Sequence, residues 1–348
     1  MEKIWLNNYP EGIPHDVDLN QFSSVVDVLE TSCKRFADLP AYTNLGHTLS
    51  YRDMDDMTKD FAAYLQNVLG LSKGDRVAVM MPNLLQYPVA IFGILRAGMV
   101  VVNVNPLYTA RELEHQLKDA GAKAIVIFES AIPTLSEVID KTPVEHVITT
   151  LPGDLLPFPK KLLVNLVVKY IKKIIPPWSL PKTIKYSDVL ANGSLHDFHT
   201  EQMTHDDVAF LQYTGGTTGL SKGATLTHGN IVANLQQATA WISMVCEDGK
   251  ETIITALPLY HIFALTANCL SFMKLGGHNI LITDPRDIPG FVQELSKHRF
   301  TAFTGVNTLF NGLLNNSEFA RLNFSDLKLT LGGGAAVQKA VSKRWKEV

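Results

Sequence analysis

The sequence predicts an α/β protein made of two doubly wound lobes, and three observations point that way. Short β-favouring runs alternate with helix-patterned stretches in two separate regions, one starting at Lys73 and one near Glu251. The runs are almost continuously apolar, as RVAVMM at 76–81 and KAIVIF at 123–128, which suits parallel strands covered on both faces. The chain has 348 residues, and at about 150 residues per domain that length suits two lobes. With 46% hydrophobic residues and 31 basic against 34 acidic side chains, global disorder is excluded. A net charge of −3 gives no reason to expect a nucleic-acid partner.

The first region reads as a strand over 76–81, a helix over 86–97 closed by Gly98, and a second strand over 99–105. Thr109 and Glu112 then match a capping box, opening a helix with Leu113, Leu117 and Ala120 on one face and ending at Gly121. The third strand is 123–128. The second region reads as a strand over 252–257, a buried helix over 262–275 closed by Gly276 and Gly277, and a strand over 278–283. Asp287 precedes a helix with Pro289 in its first turn, and 300–304 and 327–331 supply two more strands. The expected division is a first lobe over 51–249, carrying a loop at 213–223, and a second lobe formed by 1–50 with 250–348.

Two stretches, 77–95 and 252–273, carry no charge. Pro82, Asn83, Gln86 and Pro88 interrupt the first, and Pro258 and His261 the second, so both read as buried units and not as membrane spans. Cys33, Cys246 and Cys269 form no CxxC pair, and the N-terminal MEKIWLNNYPEG lacks a basic stretch before an apolar run. The expected location is therefore cytoplasmic. Between Asp154 and Asp188 there are seven Lys and no acidic residue, and five of the Lys fall within 160–173. Leu162, Leu163, Leu166, Val167 and Tyr170 recur there at helical spacing. Two readings stay open: a surface helix packed on the core, or a basic amphipathic patch in peripheral contact with an anionic membrane on its inner face. At about 1 kcal/mol per Lys, five would contribute at most roughly 5 kcal/mol, enough for reversible contact.

The chemistry concentrates after a strand-like run at 207–213, in Thr214-Gly215-Gly216-Thr217-Thr218-Gly219-Leu220-Ser221-Lys222-Gly223. Glycines let the backbone approach a ligand closely, successive N–H groups form an anion-binding concavity, and hydroxyls with one ammonium add donors for phosphate oxygens. The pattern is neither GxxxxGK[ST] nor GxGxxG, and the GGGAAV run at 332–337 also fails the second. A helix follows Thr227 or Asn230.

YTGGTTGLSKG resembles the phosphate-binding signature of the AMP-forming, adenylate-producing ligases, which include acyl-CoA synthetases, luciferases and peptide-synthetase adenylation domains. LPLYHIFA at 257–264 resembles the family's segment around an active-site His, Leu331–Ala335 its adenine turn, and Asn105–Thr109 a segment of its first lobe. Within the family the sequence is most similar to bacterial long-chain fatty-acid–CoA ligases. There are departures: Gly215 lacks a hydroxyl present in many relatives, Ser221 replaces the usual Pro, and Leu265 stands where some long-chain relatives carry an aromatic gate.

The resemblance implies two half-reactions: a fatty-acid carboxylate attacks ATP to give acyl-adenylate and pyrophosphate, then the CoA thiol displaces AMP. It implies that Lys222, His261 and Thr217 are catalytic, and that Thr214, Gly215, Gly216, Thr217, Thr218, Gly219 and Lys222 hold the β- and γ-phosphates. Thr217 would also contact Mg²⁺, Gly334 and Ala335 would lie along adenine, and His261 would sit by the acyl carboxylate. The partners implied are a long-chain fatty acid and CoA. The alternatives are another adenylate-forming ligase, for aryl, short-chain or amino acids, or a non-catalytic nucleotide- or lipid-binding fragment. Acidic and ribose-binding segments and a mobile C-terminal domain would be expected beyond Val348, so the sequence reads as a truncated N-terminal AMP-binding domain, inactive alone in thioester formation.

Overall fold

A computed structural model describes residues 2–214 and 221–348. In chain order the strands are β1 (Pro40–Asn44), β2 (His47–Ser50), β3 (Arg76–Met80), β4 (Val100–Asn103), β5 (Ala122–Phe128), β6 (His146–Thr150) and β7 (Thr183–Lys185). They continue as β8 (Val208–Thr214), β9 (Lys222–Thr227), β10 (Thr252–Thr255), β11 (His278–Leu281), β12 (Ala302–Gly305) and β13 (Leu329–Gly332). Seven build one sheet in the order β7-β6-β5-β3-β4-β8-β9, and six build the other in the order β13-β12-β10-β11-β1-β2. Every pairing is parallel except the two edge hairpins, β8–β9 and β1–β2. The expected architecture of two parallel-rich sheets flanked by helices is what forms.

The period of two along each strand sends alternate residues to opposite faces. Val77 and Val79 of β3 join a core cluster with Ile91, Phe92 and Leu95 of the helix Gln86–Arg96, while Ala78 and Met80 join one with Leu113 and Leu117 of the helix Ala110–Ala120. Both faces are thus dry, and each fully buried aliphatic side chain contributes about 1.5–3 kcal/mol. The first of these clusters also takes in Leu257, Leu265, Leu270 and Met273, so it is continuous from one sheet to the helices of the other.

Local signals behave as expected. Thr109 Oγ1 accepts from the Glu112 N–H while the Glu112 carboxylate accepts from the Thr109 N–H, and the helix ends at Gly121 with φ 61°. Asp287 caps its helix by accepting from the Gly290 N–H. Three features differ from the expectation. Residues 222–227 extend as β9 before the helix His228–Ile242 begins. The helix expected over 262–275 is α-helical at Ile262–Ala264 and Ser271–Lys274 but widens to a π-helix over Leu265–Leu270. There the Ser271 hydroxyl donates to the Thr266 carbonyl at 2.7 Å, occupying a backbone acceptor inside the turn. The basic segment likewise runs as an α-helix over Lys160–Leu166 and a π-helix over Val167–Ile171. Among the described residues no helix is long and apolar enough to cross a membrane.

Candidate functional site

Parallel strands carry all their C-terminal ends on one edge of a sheet, the edge where α/β proteins bind ligands. Here those two edges meet. Asn83, just past the end of β3, sends its amide Nδ2 to the Thr255 and Leu257 carbonyls at 3.0 and 2.9 Å. Its Oδ1 accepts from the Leu259 N–H at 2.9 Å, and its carbonyl accepts from the Thr283 hydroxyl at 3.0 Å. A side chain of one sheet thus fixes the segment that leaves β10 in the other.

The Gly/Thr-rich motif straddles the β8–β9 hairpin. Its rungs pair Gln212 with Ala224, Tyr213 with Gly223 and Thr214 with Lys222. Thr214 and Lys222 therefore form the last rung, both exposed, one on each side of the motif's centre. Gly215, Gly216, Thr217, Thr218 and Gly219 lie outside the described residues. The helix Ala110–Ala120 staples the hairpin at two points. Tyr213 Oη donates to the Asp119 carboxylate at 2.6 Å, and burial together with that carboxylate pushes the phenol's pKa up. His115 Nε2 donates to the Ser221 carbonyl at 2.9 Å. Gly223 is required beneath this ring, because a Cβ there would lie 2.9 Å from Tyr213.

His261 ends the segment that Asn83 holds. It is exposed, and its Nδ1 accepts from the Phe263 N–H at 3.3 Å as the N-cap of the next helix. An accepting Nδ1 places the proton of the neutral ring on Nε2, which is then a donor for a carboxylate or phosphate oxygen. Two residues on, the Phe263 ring packs on Gly333, where a Cβ would come within 2.7 Å of it. That contact brings the His261 helix against the turn after β13, in which Gly334 has φ +75° and Ala335 is exposed. So the structure joins Phe263, two residues past His261, to Gly333 of this turn by packing. It joins His261 to the phosphate hairpin differently, through Gln212 Nε2, which donates to the Tyr260 carbonyl at 2.8 Å.

Sequence reasoning did not assign Asn83, Gln212, His115 or Asp119 to the site. The one signal for Asn83 was a polar residue inside an otherwise uncharged run. Phe310 is buried in the second lobe's core, and Phe263, Val306 and Leu309 are half-buried. His228 is fully buried, its Nδ1 accepting from the Val25 N–H at 3.1 Å, and burial pushes its pKa down to about 4. It is a structural residue. Among the described residues no group of three or more His, Cys, Asp or Glu side chains is placed to hold a metal ion. In the basic segment, Phe158, Leu163 and Ile171 stand 84%, 64% and 74% exposed.

A family described as AMP-binding enzyme matches residues 29–348. The chain is 58% identical over 345 residues to a long-chain-fatty-acid–CoA ligase of Escherichia coli O157:H7, covering 99% of this chain and 62% of the relative. It is 53% identical over 350 residues to the enzyme of the same name in Haemophilus influenzae, covering 100% and 62%. The chain thus spans about 62% of the length of these curated relatives. The solved structure of a long-chain-fatty-acid–CoA ligase from Archaeoglobus fulgidus superposes with a TM-score of 0.79 at 23% identity, over 97% of this chain and 63% of that one, a likeness of fold.

Proposed function

Because the chain belongs to the AMP-binding enzyme family, we propose that its parent protein is an ATP-dependent long-chain-fatty-acid–CoA ligase. It would release pyrophosphate on forming the acyl-adenylate and AMP on transferring the acyl group to CoA. The observation that carries this reading is the bond from Gln212, two residues before Thr214 on β8, to the Tyr260 carbonyl beside His261, in a chain 58% identical to a ligase of that name. Chemistry of this kind needs positioning and charge neutralisation more than a covalent catalyst. Lys222 and the backbone and hydroxyl donors of 214–219 bind the β- and γ-phosphates. His261 offers its Nε2–H to the acyl carboxylate. Gly334 and Ala335, with little or no side chain, leave a flat surface for adenine. Thr217 would contact a Mg²⁺ ion accompanying ATP, which would supply charge neutralisation for the phosphates.

Residues 1–348 are read as an N-terminal AMP-binding domain with lobes 51–249 and 1–50 plus 250–348, an organisation supported by β1 and β2 pairing into the sheet of β10–β13. The test is pyrophosphate exchange by the full-length protein across a panel of acids. Exchange driven by palmitate but not by benzoate, acetate or amino acids is expected, and the reverse preference would overturn the substrate class.

The same reading includes reversible contact of 160–173 with an anionic inner leaflet. Lys160, Lys161, Lys169, Lys172 and Lys173 flank the exposed apolar residues there. Replacing the five Lys by Gln should reduce co-sedimentation with phosphatidylglycerol vesicles at least tenfold. Unchanged sedimentation would remove the membrane from the account.

A further inference from the structure

A line of buried amides links the phosphate hairpin to the His261 segment. Tyr87 Oη donates to Asn103 Oδ1 at 2.5 Å, Asn103 Nδ2 donates to Gln212 Oε1 at 3.0 Å, and Gln212 Nε2 donates to the Tyr260 carbonyl at 2.8 Å. All three side chains are at most 6% exposed, so water does not compete for these bonds. The line has one direction only. The Tyr260 carbonyl can only accept, so Gln212 must present Nε2 to it and Oε1 to Asn103. Asn103 must then present Oδ1 to the Tyr87 hydroxyl. Asn103 is itself anchored: Gln116 Nε2 donates to its carbonyl at 2.8 Å, and it is the register partner of Gln212 across β4 and β8.

We propose that Gln212 is a positioning residue that sets the His261 segment in register with the phosphate hairpin. It stands two residues before Thr214 on the same strand, and it bonds the backbone of the residue just before His261. One side chain therefore ties a near neighbour of each half of the site to the other. Asn83 does not duplicate this bond. Along this segment its contacts end at Leu259, so the segment keeps its path without Gln212 while its last step loses a fixed point. The hairpin has its own supports, the Tyr213–Asp119 and His115–Ser221 bonds. Loss of Gln212 should therefore disturb the carboxylate side of the site and spare the nucleotide side. An error of about 1 Å in such placement costs up to roughly 100-fold in rate.

The proposal rests on the ligase reading, and the test separates the two. In the full-length protein, Gln212→Met keeps the length of the side chain and removes its donor. Palmitate-dependent pyrophosphate exchange by this variant should show kcat lower by roughly 10- to 100-fold and a raised KM for palmitate, with the KM for ATP within about twofold of wild type. Asn103→Asp, which cannot donate to Gln212, should show the same split in weaker form. Leu295→Ala, a buried truncation in the second lobe's core remote from this line, supplies the control for lost stability, and its kinetic constants should stay at wild type. His261→Ala is measured beside them. Wild-type kinetics in Gln212→Met with a slow His261→Ala would overturn the positioning role and leave the His261 reading standing. Equal rises in both KM values would likewise overturn it. Wild-type rates in His261→Ala would defeat the His261 reading and the proposal with it.

Discussion

The two halves of the site are secured in opposite ways. The phosphate hairpin lies on the edge of its sheet, with Thr214 and Lys222 exposed and its supports, Asp119 and His115, drawn from a neighbouring helix of the same lobe. The His261 segment is held from below by buried amides of the other sheet, Asn83 and Gln212. A hairpin can keep its shape by its own rungs. The segment that leaves β10 has no ladder partner past the strand end, so side chains of the other sheet meet its Leu257 and Tyr260 carbonyls and its Leu259 N–H, and those bonds also fix where the lobes meet.

Breaking the buried half should therefore cost more than breaking the exposed one. Asn83→Ala leaves the Leu257 carbonyl and the Leu259 N–H without their partner, while the Thr255 carbonyl keeps its bond from the Ile282 N–H. At about 1–3 kcal/mol for each buried unpaired group, urea denaturation should show a loss of at least about 2 kcal/mol. A loss below about 1 kcal/mol would mean that water replaces the amide without penalty.

Acid should act next, and through buried groups. His228 is held neutral by burial, with a pKa of about 4 against 6.5 when unfolded. The unfolded chain takes up the proton first, so this residue's contribution is complete above pH 6.5 and is lost as pH falls toward 4. Its limit is about 3 kcal/mol. His228→Asn should flatten that part of the stability–pH curve, and an unchanged slope between pH 6.5 and 4 would contradict the assignment. His278 is depressed to about 4 as well, mainly by burial, and its partial exposure makes its share smaller.

The exposed half supplies the smallest effect. Tyr213→Phe removes the bond to Asp119 while keeping the ring over Gly223, so stability should fall by about 1 kcal/mol. The KM for ATP should rise by less than about tenfold, with the KM for the fatty acid unchanged. A larger effect on the fatty acid than on ATP would erase the distinction between the halves.

What the sequence made legible follows the same divide between local and distant contacts. Thr109 with Glu112, Asp287, Gly98 and Gly121 mark helix ends because their partners lie within four residues, and the apolar strands β3, β4 and β5 declare themselves by burial on both faces. The segments KGATLT of β9 and HTLS of β2 carry no such pattern. They are strands because an adjacent strand supplies the ladder, which only the fold reveals. The motifs single out Lys222, His261 and Gly334 as candidates. Asn83 and Gln212 are not singled out, since their partners lie 172 and 48 residues away.

The central claim is that the exposed end of the β8–β9 hairpin binds the phosphates of ATP, and Lys222→Ala in the full-length protein tests it most directly. Palmitate-dependent pyrophosphate exchange should fall by roughly 100-fold or more while the melting temperature stays at the wild-type value, as expected for loss of an exposed charge that acts on the reacting phosphates. Exchange at the wild-type rate in a folded Lys222→Ala protein would contradict it.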